Sequence, residues 1–341
     1  MTASSASRAP REYLSRAREI AEDVLFPAAQ EVDAAERVPA SHLDLLAAEG
    51  FYGVAAPPEA GGVAVDGMGF AADLVATFAS GCLATAFVWI QHHGPVLATA
   101  FSREPGVREK WLAPLAGGRV RGGIARAGAR PGAAGLRVRD VPGGCALDGE
   151  VPWVTGWDLI DVVHVAALDD AGRVRFLLVD AIAGPSLRVR PNRLAAANAS
   201  RTVTLTFDGH VVPADRFTGA EPYESWSAGE ASGSALNGFL ALGVVDRCVR
   251  LLDTSDDLAA QRDAVRADLL AADAAATPAA RAAASELAMR AASTLAVQVG
   301  SRSTLAESAA ARLVREAAFL LVFGSRPAIR AALLARLAPP A

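Results

Sequence analysis

The run Gln91-His92-His93-Gly94 is the most unusual polar cluster in the chain, because it follows the apolar Phe87-Val88-Trp89-Ile90. An imidazole titrates near neutrality, so a histidine in such surroundings can take up and release protons during a reaction. Adjacent helical residues point about 100° apart, so at most one of His92 and His93 faces a given pocket. The structural use of such a pair competes with the chemical one, since a histidine at a helix end also satisfies carbonyls or packs. No metal site is expected. Cys82, Cys145 and Cys248 are far apart and lack ligand spacing, and so sparse a set fits a reducing compartment better than a disulfide framework.

The elements that would position these residues fall into three parts. Leu14, Ala17, Ala21, Val24 and Ala28 recur at helical spacing and predict an amphipathic helix over 11–35. A second helix runs from Pro39 to Leu46 with Ser41 as N-cap and ends at Gly50; Pro57 to Gly62 then forms a turn. Gly67–Ser80 and Leu83–Ala100 read as helices apolar all round, hence buried, and Val107–Leu115 as a short one. After Gly118 the period changes. Val120–Ala125, Leu136–Val141, Cys145–Trp153, Val162–Leu168, Val174–Asp180, Leu187–Val189 and Thr202–Phe207 read as short strands of a small β-barrel. From about Trp226 the chain is helical again, with Gly233–Leu252, Leu258–Ala276, Pro278–Gly300 and Leu305–Phe323 forming an antiparallel bundle before a short last helix. The expected domains are therefore 1–117 (helical), 118–220 (β-barrel) and 221–341 (helical bundle).

Composition excludes more than it assigns. The 341 residues are 52% hydrophobic with a mean hydropathy of +0.26, much of it alanine. A net charge of −4 and a pI of about 5.8, with no basic stripe, argue against nucleic acid. Met1 to Pro10 lacks the apolar core of a signal peptide, and Phe70–Phe87 is broken by Asp73, Thr77, Ser80 and Gly81. These features predict a soluble, cytoplasmic protein.

Four segments carry a family resemblance. They are Leu43 to Gly62, Arg108-Glu109-Lys110-Trp111-Leu112-Ala113-Pro114-Leu115, Leu147-Asp148-Gly149-Glu150-Val151-Pro152-Trp153-Val154-Thr155-Gly156 and Phe207 to Arg216. In this order, between helices and a bundle, they resemble the acyl-CoA dehydrogenase family. The match is close over roughly 11–250 and poor beyond, so the chain is read as a divergent, C-terminally shortened member. The resemblance implies FAD between barrel and bundle, an acyl-CoA or other acyl thioester as substrate, and assembly as a homodimer, a tetramer or a hetero-oligomer with a related subunit.

Carried over from the family, Trp153 and Thr155 would contact the flavin. An indole shields an apolar ring from water, and a hydroxyl can bond a ring nitrogen. Ala125 and Ala127 would supply backbone amides, although Ala125 to Gly135 lacks the family's Thr and Ser hydroxyls. Asp253-Thr254-Ser255-Asp256-Asp257 stands where the family helps hold the pyrophosphate and would repel it; Arg302 is a weak substitute.

The family's catalytic base is a glutamate from one of two places, which fall here on Gly324 and about Gly233. Neither takes a proton. Glu230, about one turn before Gly233, substitutes only with a register shift and otherwise reads as a solvated residue at a helix start. Three functions follow. The first is a flavin-dependent oxidoreductase acting on an acyl thioester. The second is a flavin monooxygenase on the same scaffold using His92 or His93. The third is a non-catalytic or flavin-free partner subunit.

Overall fold

The computed structural model describes residues 9–65, 67–130, 135–232 and 234–338. The first expected helix is two, α1 (Pro10–Ile20) and α2 (Phe26–Ala34), joined by a widened turn over Ala21–Leu25. Pro27 explains the break: its ring crowds the carbonyl one turn back, and the wider turn makes room. Next comes α3 (Ala40–Ala48), preceded by Pro39 with no side-chain cap, so Ser41 lies inside the helix rather than capping it. The apolar runs form α4 (Gly69–Gly81) and α5 (Leu83–Ala100), hinged at the extended Cys82, and α6 (Pro105–Ala116) follows.

Eight strands follow: β1 (Gly122–Ala125), β2 (Arg137–Val141), β3 (Gly144–Val154), β4 (Val162–Leu168), β5 (Arg173–Asp180), β6 (Leu187–Pro191), β7 (Val203–Pro213) and β8 (Phe217–Pro222). They form one open sheet, ordered β6-β7-β3-β2-β4-β5-β8, with β1 parallel to β4. The expected barrel is therefore corrected to an open sheet. Its two end strands explain why. β6 ends in Pro191 and exposes Arg188 and Arg190, and β8 carries Gly219 and ends in Pro222. Proline cannot donate to a ladder and charged residues discourage pairing, so neither edge accepts another strand.

The chain then forms α7 (Tyr223–Ser232), α8 (Leu236–Leu251), α9 (Asp256–Ala271), α10 (Thr277–Val299), α11 (Ala309–Val322) and α12 (Pro327–Leu337). One continuous core joins the first helices to the last, with Leu74 and Phe78 of α4 sharing it with Phe239 and Leu242 of α8. Gly243 permits that contact: a Cβ there would lie 2.4 Å from the Ala76 carbonyl oxygen. The sheet buries a separate core around Leu147, Val165 and Leu205. Helix α5 connects the two, packing its middle, at His92, on β1. No described helix is long and apolar enough to cross a membrane.

Candidate functional site

Trp153 and Thr155 do not share a pocket wall. On a regular strand, residues two apart point to the same face. Here the β3–β7 register is irregular between Val151 and Val154, and Trp153 adopts a left-handed φ of 64°. Its indole is thrown outward and is 64% exposed. Thr155, just past the strand, is 4% exposed. Its hydroxyl lies 3.1 Å from that of Thr202, which in turn lies 2.9 Å from the Ser200 hydroxyl. The Gly156 amide donates to the Ser200 carbonyl at 2.9 Å and closes this corner. A left-handed, non-glycine residue with an exposed large aromatic is costly unless something uses it.

Ala125 is buried at the end of β1, and Ala127 opens a tight turn in which the Arg130 amide donates to its carbonyl. The rest of that segment, residues 131–134, lies outside the described residues, as does Gly233.

His92 is held by the backbone at both nitrogens. Nδ1 accepts from the Gly122 amide at 3.0 Å, so Nε2 carries the proton and donates to the Leu115 carbonyl at 3.1 Å. Burial, and then the neighbouring His93, hold its pKa well below the usual imidazole range. No nitrogen is left for proton transfer. His93 stacks edge-on against Trp89, and neither of its buried nitrogens has a partner. Burial pulls its pKa down to about 3. Both rings are therefore neutral near pH 7.

Glu230 belongs to a cluster that sequence reasoning missed. It sits in the last turn of α7, with its side chain only 9% exposed, not solvated at a helix start. Arg126 donates to Oε1 at 3.3 Å; Arg130 and Arg326 donate to Oε2 at 2.6 and 3.0 Å. Burial works to raise its pKa, but the bond to Arg130 and the charges of Arg130, Arg326 and Arg126 outweigh it, and the net shift is downward. A carboxylate so neutralised is a poor proton acceptor.

Arg281 links the two places where a base was sought. Its Nη1 donates to the Ser234 carbonyl at 2.8 Å and its Nη2 to the Phe323 carbonyl at 3.2 Å. These residues neighbour Gly233 and Gly324. The guanidinium is buried, its Nε has no partner, and burial together with Arg326 lowers its pKa to about 10. A cation thus occupies the region where a carboxylate was expected. Arg302 is exposed. Two clefts, of about 340 and 380 Å³, lie elsewhere and share Arg119, Ile160 and Asp161. Among the described residues, no group of His, Cys, Asp and Glu could hold a metal ion.

Helices, open sheet and helices in this arrangement define the acyl-CoA dehydrogenase fold. The chain matches the glutaryl-coenzyme A dehydrogenase glutaryl-CoA complex with a TM-score of 0.83 at 17% identity, over 96% of this chain and 95% of that one. It matches butyryl-CoA dehydrogenase from Megasphaera elsdenii at 0.82 and 18%, over 95% and 96%. Residues 7–119 match the family described as acyl-CoA dehydrogenase, N-terminal domain. The mitochondrial short-chain specific acyl-CoA dehydrogenase of Bos taurus is 26% identical over 215 residues, 59% of this chain and 51% of that one. The Homo sapiens protein of the same name is 26% identical over 219 residues, 60% of this chain and 52% of that one. The chain thus spans about half the length of the curated relatives it matches. These matches bear out the resemblance to the acyl-CoA dehydrogenase family read from the sequence.

Proposed function

We propose that this chain is a flavin-dependent oxidoreductase on the acyl-CoA dehydrogenase scaffold, acting on an acyl thioester. The observation that carries the reading is Trp153, an exposed indole held out by a left-handed backbone at the irregular end of β3. A planar, apolar ring system is the partner such a side chain suits. FAD, when bound, supplies the electron acceptor. Trp153 would cover one side of its ring, and the backbone around Ala125 and Ala127 would approach its edge. Thr155 fits less well, because its hydroxyl is turned into the chain shared with Thr202 and Ser200.

In this reading the protein residues bind and orient but do not deprotonate as in the family. Arg126, Arg130 and Arg326 would hold an anionic group of the bound acyl thioester. The cation at Arg281 favours a second reading, a partner subunit that binds flavin or thioester without turning it over. The engaged nitrogens of His92 give the monooxygenase reading no such support.

The test is to reconstitute the purified protein with FAD and titrate it anaerobically with acyl-CoAs of graded chain length. Flavin uptake followed by bleaching supports the oxidoreductase. Uptake without bleaching supports the partner subunit. A protein that takes up no FAD contradicts the oxidoreductase and supports a flavin-free partner subunit.

A further inference from the structure

We propose that the arginine cluster around Glu230 is a carboxylate-recognition site, so that the acyl thioester taken by this protein carries a second, anionic end. This rests on the acyl-thioester reading above. Arg126, Arg130, Arg281 and Arg326 contribute four positive charges against the one negative charge of Glu230, leaving +3. Among the described residues, no other carboxylate is paired with these four guanidiniums. Arg281 is the buried member, and a buried charge with no carboxylate beside it is costly unless an anion completes it.

Two further observations point to a ligand rather than to structure alone. The buried Nε atoms of Arg126 and Arg281 have no hydrogen-bond partner, and Arg281 is nine-tenths or more buried. The side chains of Arg326, Arg126 and Arg130 are 25%, 33% and 43% exposed, so an anion can reach them from solvent. The cluster is drawn from four separate segments: the turn after β1 (Arg126 and Arg130), the end of α7 (Glu230), α10 (Arg281) and the residue before α12 (Arg326). Arg126, Arg130 and Arg326 converge on Glu230, and Arg281 lies against the Ser234 and Phe323 carbonyls. Each of Arg126, Arg130 and Arg326 gives Glu230 one nitrogen, and the planar fork of a guanidinium matches the geometry of a second carboxylate. An alkyl chain would gain nothing from such surroundings.

The full-length protein tests this without flavin. Calorimetry at low ionic strength would compare the N-acetylcysteamine thioesters of succinate and butyrate, together with the methyl ester of the succinyl compound. The succinyl thioester should bind about tenfold more tightly than either neutral compound, the difference expected of one charge-assisted contact. Arg326→Gln should remove most of that advantage, and so should Arg130→Gln at the more exposed position, where folding is least at risk. Three results would overturn the inference: equal binding of the methyl ester, no binding of the succinyl thioester, or displacement by inorganic phosphate at equal concentration. Flavin uptake is measured separately, so the failure of one reading leaves the other standing.

Discussion

The Gly122 amide donates to Nδ1 of His92 at 3.0 Å, and this bond fixes which imidazole nitrogen carries the proton. A ring that accepts from one backbone group and donates to another cannot gain a proton without losing a contact. The pair joins the middle of α5 to the first strand of the sheet, so His92 ties the helical part to the sheet. Replacing it by leucine takes the acceptor from the Gly122 amide, while the Leu115 carbonyl keeps the Gly118 amide at 2.9 Å. The expected loss is about 1–3 kcal/mol of unfolding free energy, the cost of one buried unsatisfied group. Denaturant melts of His92→Leu check this, and an unchanged midpoint would refute it.

The buried histidines predict acid sensitivity. His93 and His164 are held by burial at about 3, and His92 well below its ordinary range. In the unfolded chain all three would protonate near pH 6.5. Their neutral form favours the fold above that pH, and stability falls as pH drops through 6.5 towards the folded-state values. Each contributes about 1.4 kcal/mol per pH unit in that window. Melts at pH 7.5, 6.0 and 5.0 should show a steepening loss; a flat profile would contradict the neutral, buried assignment.

Glu230 has the opposite chemistry but loses stability in the same direction. Its pKa is lowered in the fold, so the ion pairs contribute above the unfolded carboxylate range and fade as pH falls through the folded value. Glu230→Gln removes the anion from among three guanidiniums. It should cost about 2 kcal/mol, less than a fully buried pair because the arginines remain partly exposed. Chemical denaturation at low and high salt checks this, with added salt expected to restore part of the loss.

Gly243 tests the contact between the first and last helices. An alanine there would place its Cβ 2.4 Å from the Ala76 carbonyl oxygen and 2.6 Å from the Ala79 Cβ. Helices α4 and α8 would have to part, at about 1–3 kcal/mol. A thermal melt of Gly243→Ala should show the shift, whereas a neutral result would mean that the helices are not so closely set.

Much of the scaffold was legible because it depends on local patterns. The apolar period of Leu83–Ala100 gives α5 with both ends placed, and seven of the strands follow from β-branched runs between turn residues. β8 was missed because Phe217-Thr-Gly-Ala-Glu-Pro carries a glycine and a proline, and its strand state comes from pairing with β5. Whether the sheet closes is a property of its edges, which no single segment states. The arginine cluster was hidden for a related reason. Arg126, Arg130, Glu230 and Arg326 lie up to 200 residues apart, and each alone looks like an ordinary surface charge. The indole of Trp153 was picked out by family resemblance, but its exposure depends on an irregular register that alternation does not predict.

The flavin reading is tested most directly by FAD binding to the wild-type chain and to Trp153→Ala, followed by the visible flavin band and by tryptophan fluorescence. The account predicts that the wild-type chain takes up FAD with quenching of its fluorescence, and that Trp153→Ala, at unchanged fold stability, binds about tenfold or more weakly through loss of the stacking surface. Equal affinity in the two proteins, or no uptake by the wild-type chain, would contradict it.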